Sequence, residues 1–300
     1  MKKLFFISFL ILTISLLGCK KKSDNSGSSV VSHWENITLP QSTYQAGWLW
    51  AISIGSNLFI GNESNSGQFN QFFTKYDFNT SSFTDLPTNG EICACGYNSI
   101  LVTDNTSLYY FANEGVKFSP GSQSWSSVNY PYAFQNGEAG CGVLNGRIYY
   151  IGGRNFTTTV RYYDISSDSW DSLATKFYYR TNSSAVIGFN NKLYVLGGNS
   201  EGQYKVSVYD PLTDSWSKKA DCPYKTYDYA VLFQNLIIVR GDENLYCYDP
   251  INDKWKSTYA LPSAINDVIP FVYNSNLYIV GINYDTYKIV LYKFKDSISA

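Results

Sequence analysis

"KLYVLGG", Lys192 to Gly198, stands a short way ahead of "VYDPLTDSW", Val208 to Trp216, and near-copies of both phrases recur along the chain. The apolar residue opening the first phrase recurs as Leu58, Leu101, Ile148, Leu193, Leu236 and Leu277, at intervals of 43, 47, 45, 43 and 41 residues. The second phrase follows as Asp77 then Phe83, Ser119 then Trp125, Asp164 then Trp170, Asp210 then Trp216, and Asp249 then Trp255, always six residues apart. A repeat of this length, made of short strands and tight turns, is the signature of a propeller blade. In the second repeat "SLYYFAN" around Leu108 looks more like the consensus strand than "ILVTDN", but it would give intervals of 50 and 40; even spacing favours Leu101.

The chemistry of the phrases explains their recurrence. A strand alternates its side chains between two faces, and a blade buries both against its neighbours, so residues such as Tyr149, Ile151, Tyr194 and Leu196 are all apolar or aromatic. Gly152-Gly153 and Gly197-Gly198 end their runs where positive φ and close backbone approach are needed. They resemble phosphate loops only superficially, since no helix follows them. In "YDPLTDSW", Asp210 and Pro211 open a turn, and Trp216 is expected to wedge against the next blade.

Composition agrees with an all-β chain. Aromatic residues make up 17%, including 27 Tyr, against a single Met, and no apolar stripe of helical period exceeds two turns. The formal net charge is −1 with 16% charged residues, and no basic block lies beyond residue 22, which disfavours nucleic-acid binding.

The N-terminus reads differently from the rest. Lys2 and Lys3 precede an apolar run, Leu4 to Leu17, too short to cross a bilayer, and "LLGC" ends it at Cys19. This ending resembles the lipobox of bacterial lipoproteins, which implies that residues 1–19 are a signal whose Cys19 is lipidated, giving a membrane anchor. Residues 20–32, polar and small, are expected to be a flexible tether. Lys20 is compatible with outer-membrane sorting, so the expected location is the bacterial cell envelope, lipid-anchored at the outer membrane.

"IYYIGG…YYDISSDSW" and "LYVLGG…VYDPLTDSW" resemble kelch repeats, and the resemblance extends from Trp34 to Phe294. The other repeats lack the full double glycine, with Gly61-Asn62, Thr103-Asp104, Arg240-Gly241 and Gly281-Ile282 in its place. The resemblance implies an all-β, six-bladed kelch-type β-propeller, here spanning 33–296. Its last repeat has no tryptophan-bearing outer strand, whereas "WENITLP", Trp34 to Pro40, is a spare one that parallels "WKSTYALP", Trp255 to Pro262. The N-terminal segment is therefore expected to complete the sixth blade and close the ring.

The inner strand of each blade should begin about ten residues before each repeat leucine or isoleucine, at one mouth of the central channel. That places Trp48, Glu91, Glu138, Ser183, Thr226 and Asp267 there, with Tyr44, Arg180, Lys225 and Asp228 nearby; "NGE" occurs at both Asn89 to Glu91 and Asn136 to Glu138. Aromatic rings for the apolar face of a sugar, and charges for its hydroxyls, make a carbohydrate a fitting ligand. A binding module for a carbohydrate or an envelope protein, acting as a monomer without cofactor, is the favoured reading. A purely structural envelope protein is a third reading. The enzyme alternative is a sugar epimerase or mutarotase, because similar kelch propellers include sialic-acid epimerases; Glu91 or Glu138 would then be the general base and Arg180 the carboxylate clamp. Kelch-type copper radical oxidases resembling galactose oxidase need two imidazoles, and His33 is the sole histidine, which disfavours that activity, a Ser-His-Asp triad and a zinc cluster. Beyond Cys19 the thiols Cys93, Cys95, Cys141, Cys222 and Cys247 are expected to be buried and free; Cys93 and Cys95, on an expected inner strand, point to opposite faces.

Overall fold

Each repeat folds as four antiparallel strands because its apolar runs are short, alternate between two buried faces, and are separated by turn-forming Asn, Asp and Gly. The computed structural model describes residues 33–40, 44–63, 71–88, 100–111, 114–131, 137–155, 157–296 and 298. Strand β1 (Trp34–Ile37) comes first. Blade 1 follows as β2 (Trp48–Ile54), β3 (Asn57–Glu63), β4 (Phe73–Asp77) and β5 (Ser82–Asp85), and blade 2 as β6 (Ile100–Thr103), β7 (Leu108–Phe111), β8 (Gly115–Ser119) and β9 (Ser124–Val128). Blade 3 is β10 (Ala139–Leu144), β11 (Arg147–Gly152), β12 (Arg161–Asp164) and β13 (Ser169–Ser172), and blade 4 is β14 (Ala185–Phe189), β15 (Lys192–Leu196), β16 (Val206–Asp210) and β17 (Ser215–Lys218). Blade 5 is β18 (Tyr227–Phe233), β19 (Leu236–Arg240), β20 (Asn244–Asp249) and β21 (Lys254–Ala260). Blade 6 contains β22 (Ile265–Tyr273), β23 (Asn276–Asn283) and β24 (Ile289–Phe294), and β1 pairs with β24 as its fourth strand. The innermost strands pack in order around the channel, blade 6 against blade 1.

The closure expected from "WENITLP" is present in atomic detail. Trp34 stands opposite Phe294 as Trp255 stands opposite Tyr248. Its indole Nε1 donates to the Ala260 carbonyl at 2.8 Å, at the end of the outer strand of blade 5. Trp125 donates in the same way to Pro87, Trp170 to Asn129 and Trp255 to Ala220. His33 pairs with Asp296 and sets its ring edge-on to Tyr259, so it fastens the closing strand.

Six apolar clusters lie at the six blade junctions. Tyr149 and Ile151 of blade 3 meet Leu193 and Val195 of blade 4, while Tyr194 and Leu196 face Ile237 and Val239 of blade 5. Trp216 packs against Tyr149 and Phe177, on the side of the preceding blade, not the next one as expected. The ladder explains this: Trp216 sits opposite Tyr209, whose ring already faces Tyr149, so both share that side of the sheet.

Two expected registers are corrected. In blade 2, Leu108 pairs with Phe118 as Ile148 pairs with Tyr163, so Leu108 opens the second strand and Leu101 lies on the innermost strand. Part of the displacement comes from this hairpin's four-residue loop, Asp104 to Ser107, two residues longer than in the other five blades and capped by the Asp104 carboxylate on the Thr106 and Ser107 amides. In blade 5, Ile237 and not Leu236 holds the equivalent place, opposite Tyr248. Glu91, Asn89, Cys93 and Cys95 lie outside the described residues. Cys141, Cys222 and Cys247 are free thiols; the last two are buried, and burial pushes each up to about 12, whereas Cys141 is half-buried on the channel wall.

Candidate ligand site at the channel mouth

All six innermost strands run away from the face that carries the outer-to-inner connections, so their first residues converge at one mouth. Four of these residues adopt a left-handed backbone although none is glycine: Glu138 (φ 60°), Ser183 (φ 51°), Asp228 (φ 47°) and Asp267 (φ 48°). Such conformations cost about 1–3 kcal/mol each and persist where the surroundings enforce them. Here the enforcement runs from blade to blade. The Ser183 amide donates to the Glu138 carbonyl at 2.7 Å, the Asp228 amide to the Ser183 carbonyl at 3.0 Å, and the Leu49 amide to Asp267 Oδ2 at 3.0 Å. At Asp228 and Asp267 the strand also bulges, which re-aims the side chain.

The channel encloses about 720 Å³, and its wall includes Trp48, Glu138, Ser183, Asp228, Arg240 and Asp267, with Ile52, Val186, Val231 and Ile269 as apolar lining. Trp48 is 43% exposed, an unusual amount for an indole in a chain that buries Trp34, Trp50 and Trp216. Glu138 is held by Arg154, 2.9 Å from Oε1, and by the Asn182 side-chain amide on Oε2. Asp228 is exposed to the channel, yet the surrounding wall desolvates its carboxylate. Burial raises its carboxyl, Glu138 and Asp267 add to the rise, and Arg240 opposes it. Burial likewise raises Asp267, against the Leu49 amide and Arg240. Three carboxylates, an indole face and the Arg240 guanidinium therefore border one cavity, with Arg154 behind Glu138, a set suited to ligands with many hydroxyls.

Trp48, Glu138, Asp228 and Asp267 thus line the channel as the sequence suggests. Thr226 does not: it is buried with its Oγ1 against Gly197, and the shifted register of blade 5 gives its place to Asp228. Tyr44 packs tilted against Phe72, ring centroids 4.7 Å apart, and donates to Asp85, which holds it on the outer strands of blade 1. Arg180 and Lys225 are exposed on connections of the same face but are not among the lining residues; the Arg180 amide donates to Glu201 Oε2 at 3.0 Å. Sequence reasoning missed Arg154 and Arg240. The signal for both was the glycine segment: Arg154 directly follows Gly152-Gly153, and Arg240 directly precedes Gly241, which stands in register with Gly197. Among the described residues no group of His, Cys, Asp and Glu could hold a metal ion, and no helix is long and apolar enough to cross a membrane.

Comparison with known proteins agrees with this architecture. The Kelch motif family matches residues 137–176 and 180–223, the region of blades 3 and 4. Kelch-like protein 35 of Mus musculus is 29% identical over 148 residues, covering 46% of this chain and 25% of that protein. Kelch-like protein 38 of Homo sapiens is 30% identical over 141 residues (42% and 24%), and Kelch-like protein 24 of Rattus norvegicus 39% over 80 residues (26% and 13%). The chain thus spans a quarter or less of the length of these curated relatives. A solved structure, that of YjhT, superposes with a TM-score of 0.53 at 15% identity, covering 65% of this chain and 80% of that one, which shows a shared fold. Fold and motif together define a six-bladed β-propeller whose third and fourth blades match the Kelch motif.

Proposed function

We propose that this chain is a recognition module of the bacterial cell envelope, anchored in the outer membrane through Cys19, which binds a carbohydrate at its channel mouth. The observation that supports this reading most is the exposed Trp48 indole above a cavity bordered by Glu138, Asp228 and Asp267. An indole face stacks on the C–H face of a sugar, and carboxylates accept from its hydroxyls. A thermal-shift panel of neutral and acidic mono- and oligosaccharides on the full chain tests it, since a ligand of the folded state raises the melting midpoint. The expected result is a shift with at least one sugar that Glu138→Gln reduces. Absence of any shift across the panel would favour a protein partner, to be sought by pull-down from envelope extracts.

One observation favours a second reading, sugar epimerase or mutarotase chemistry: Asp228 carries a raised carboxyl in a protein-walled channel under the influence of Arg240. Raised carboxyls near a cation suit acid–base work. Acceleration of anomer exchange by the wild-type chain and not by Asp228→Asn, followed by NMR, would establish it.

A further inference from the structure

Arg240 breaks the repeat at an informative place. Where blades 3 and 4 have the apolar Ile151 and Leu196, three residues after Ile148 and Leu193, blade 5 has Arg240 three residues after Ile237, paired with Tyr227 at the mouth end of the β18–β19 ladder, and Arg240 lines the channel. Its environment is unusual for a half-buried guanidinium. The Nε atom is buried with no hydrogen-bond partner, and Arg240 forms no ion pair among the described residues although Asp228 and Asp267 feel its charge. The neighbouring carboxylates are engaged elsewhere: Glu138 with Arg154, and Asp267 with the Leu49 amide. An arginine that only supported the fold would spend its donors on carbonyls or a carboxylate, because leaving them desolvated and unpaired is unfavourable.

Building on the carbohydrate reading above, we propose that Arg240 is the anion-recognising residue of the mouth, and that the ligand is a small polyhydroxylated carboxylate of the uronic-acid type. The carboxylate takes the free guanidinium fork, and hydroxyls donate to Asp228 and Asp267. The charge balance of the wall selects this class. A phosphate or another compact polyanion would meet three carboxylates, and a neutral sugar would leave Arg240 unpaired.

Calorimetric titration of the full chain with D-glucuronate and D-glucose tests the assignment. Glucuronate should bind at least about 10-fold tighter, the ratio expected of one charge-assisted pair. Arg240→Gln should erase that preference while leaving glucose binding unchanged, and Arg240→Lys should keep part of it. Equal affinities in the wild type, or a preference that survives Arg240→Gln, overturn the role of Arg240 but leave the carbohydrate reading standing; failure of both sugars to bind overturns both. The melting temperature of Arg240→Gln is the second measurement. It should equal or exceed that of the wild type, because an unpaired cation has been removed, and a drop of several degrees would assign Arg240 to the fold instead.

Discussion

At Asp164 the carboxylate accepts from the Ser166 hydroxyl, from Arg147 and from two turn amides, and these bonds lower it to about 2. Asp249 and Asp210 are lowered in the same way, chiefly by Asn252 and by Lys192. Such groups add stability above the ordinary carboxylate value of about 4, and that contribution is lost as pH falls through their folded values. The urea midpoint should therefore decline between about pH 4 and pH 2, and Asp164→Asn should flatten that decline. Asp228 has the opposite sign. Its folded-state value is raised, so its favourable contribution is fully present below about pH 4 and is lost as pH rises through the folded value. Asp228→Asn should accordingly raise the melting temperature at pH 7 and leave it unchanged at the acid end, by calorimetry at both. At this scale the sequence was legible for turn aspartates, whose spacing announces them. Tyr44 was illegible, because nothing in the chain order reveals that its hydroxyl meets Asp85 on an outer strand.

Among the elements, the double glycine has the clearest physical meaning. Gly197 has φ 64°, and a Cβ there would overlap Thr226 on the connection into the next blade; Gly152 meets Thr181 in the same manner. Gly146, at a hairpin tip with φ 73°, has nothing within 4 Å of a built Cβ. The two types of glycine should separate on substitution. Gly146→Ala should cost about 1 kcal/mol from backbone conformation alone, and Gly197→Ala about 2 kcal/mol or more, in paired urea unfolding curves. The elements also mark where periodicity misleads. Repeat spacing located five of six second strands to within one residue and missed blade 2, because loop length is free to vary while the pairing of Leu108 with Phe118 is not. The register of blade 5 is displaced by one, and a bulge between Tyr227 and Ala230 displaces the strand start further, which is how Thr226 stood in for Asp228 in the expected mouth.

For the molecule as a whole, the ring depends on an N-terminal strand completing the last blade. Trp34 is 5% exposed, packs on Phe294 and bonds to Ala260 across the junction with blade 5. Trp34→Ala should cost about 3–5 kcal/mol, and removal of residues 33–40 should lower the melting temperature further. The two faces of the ring also differ in character. Trp48, Tyr178, Tyr204, Tyr224, Tyr284 and Tyr287, six of the described large side chains left exposed, sit at the mouth end of innermost strands or on the connections of that same face. Leu212 and Ile251 lie on the turns of the opposite face. Aromatic residues enriched on one face, around a charged cavity, mark it as the recognition surface. Hydrogen–deuterium exchange of the full chain, with and without saturating D-glucuronate, tests this most directly. Protection should concentrate at the starts of the innermost strands, residues 137–144, 183–189, 227–233 and 265–273, and in the connections beside them. Protection confined to the opposite-face turns, or exchange unchanged throughout, would contradict the account.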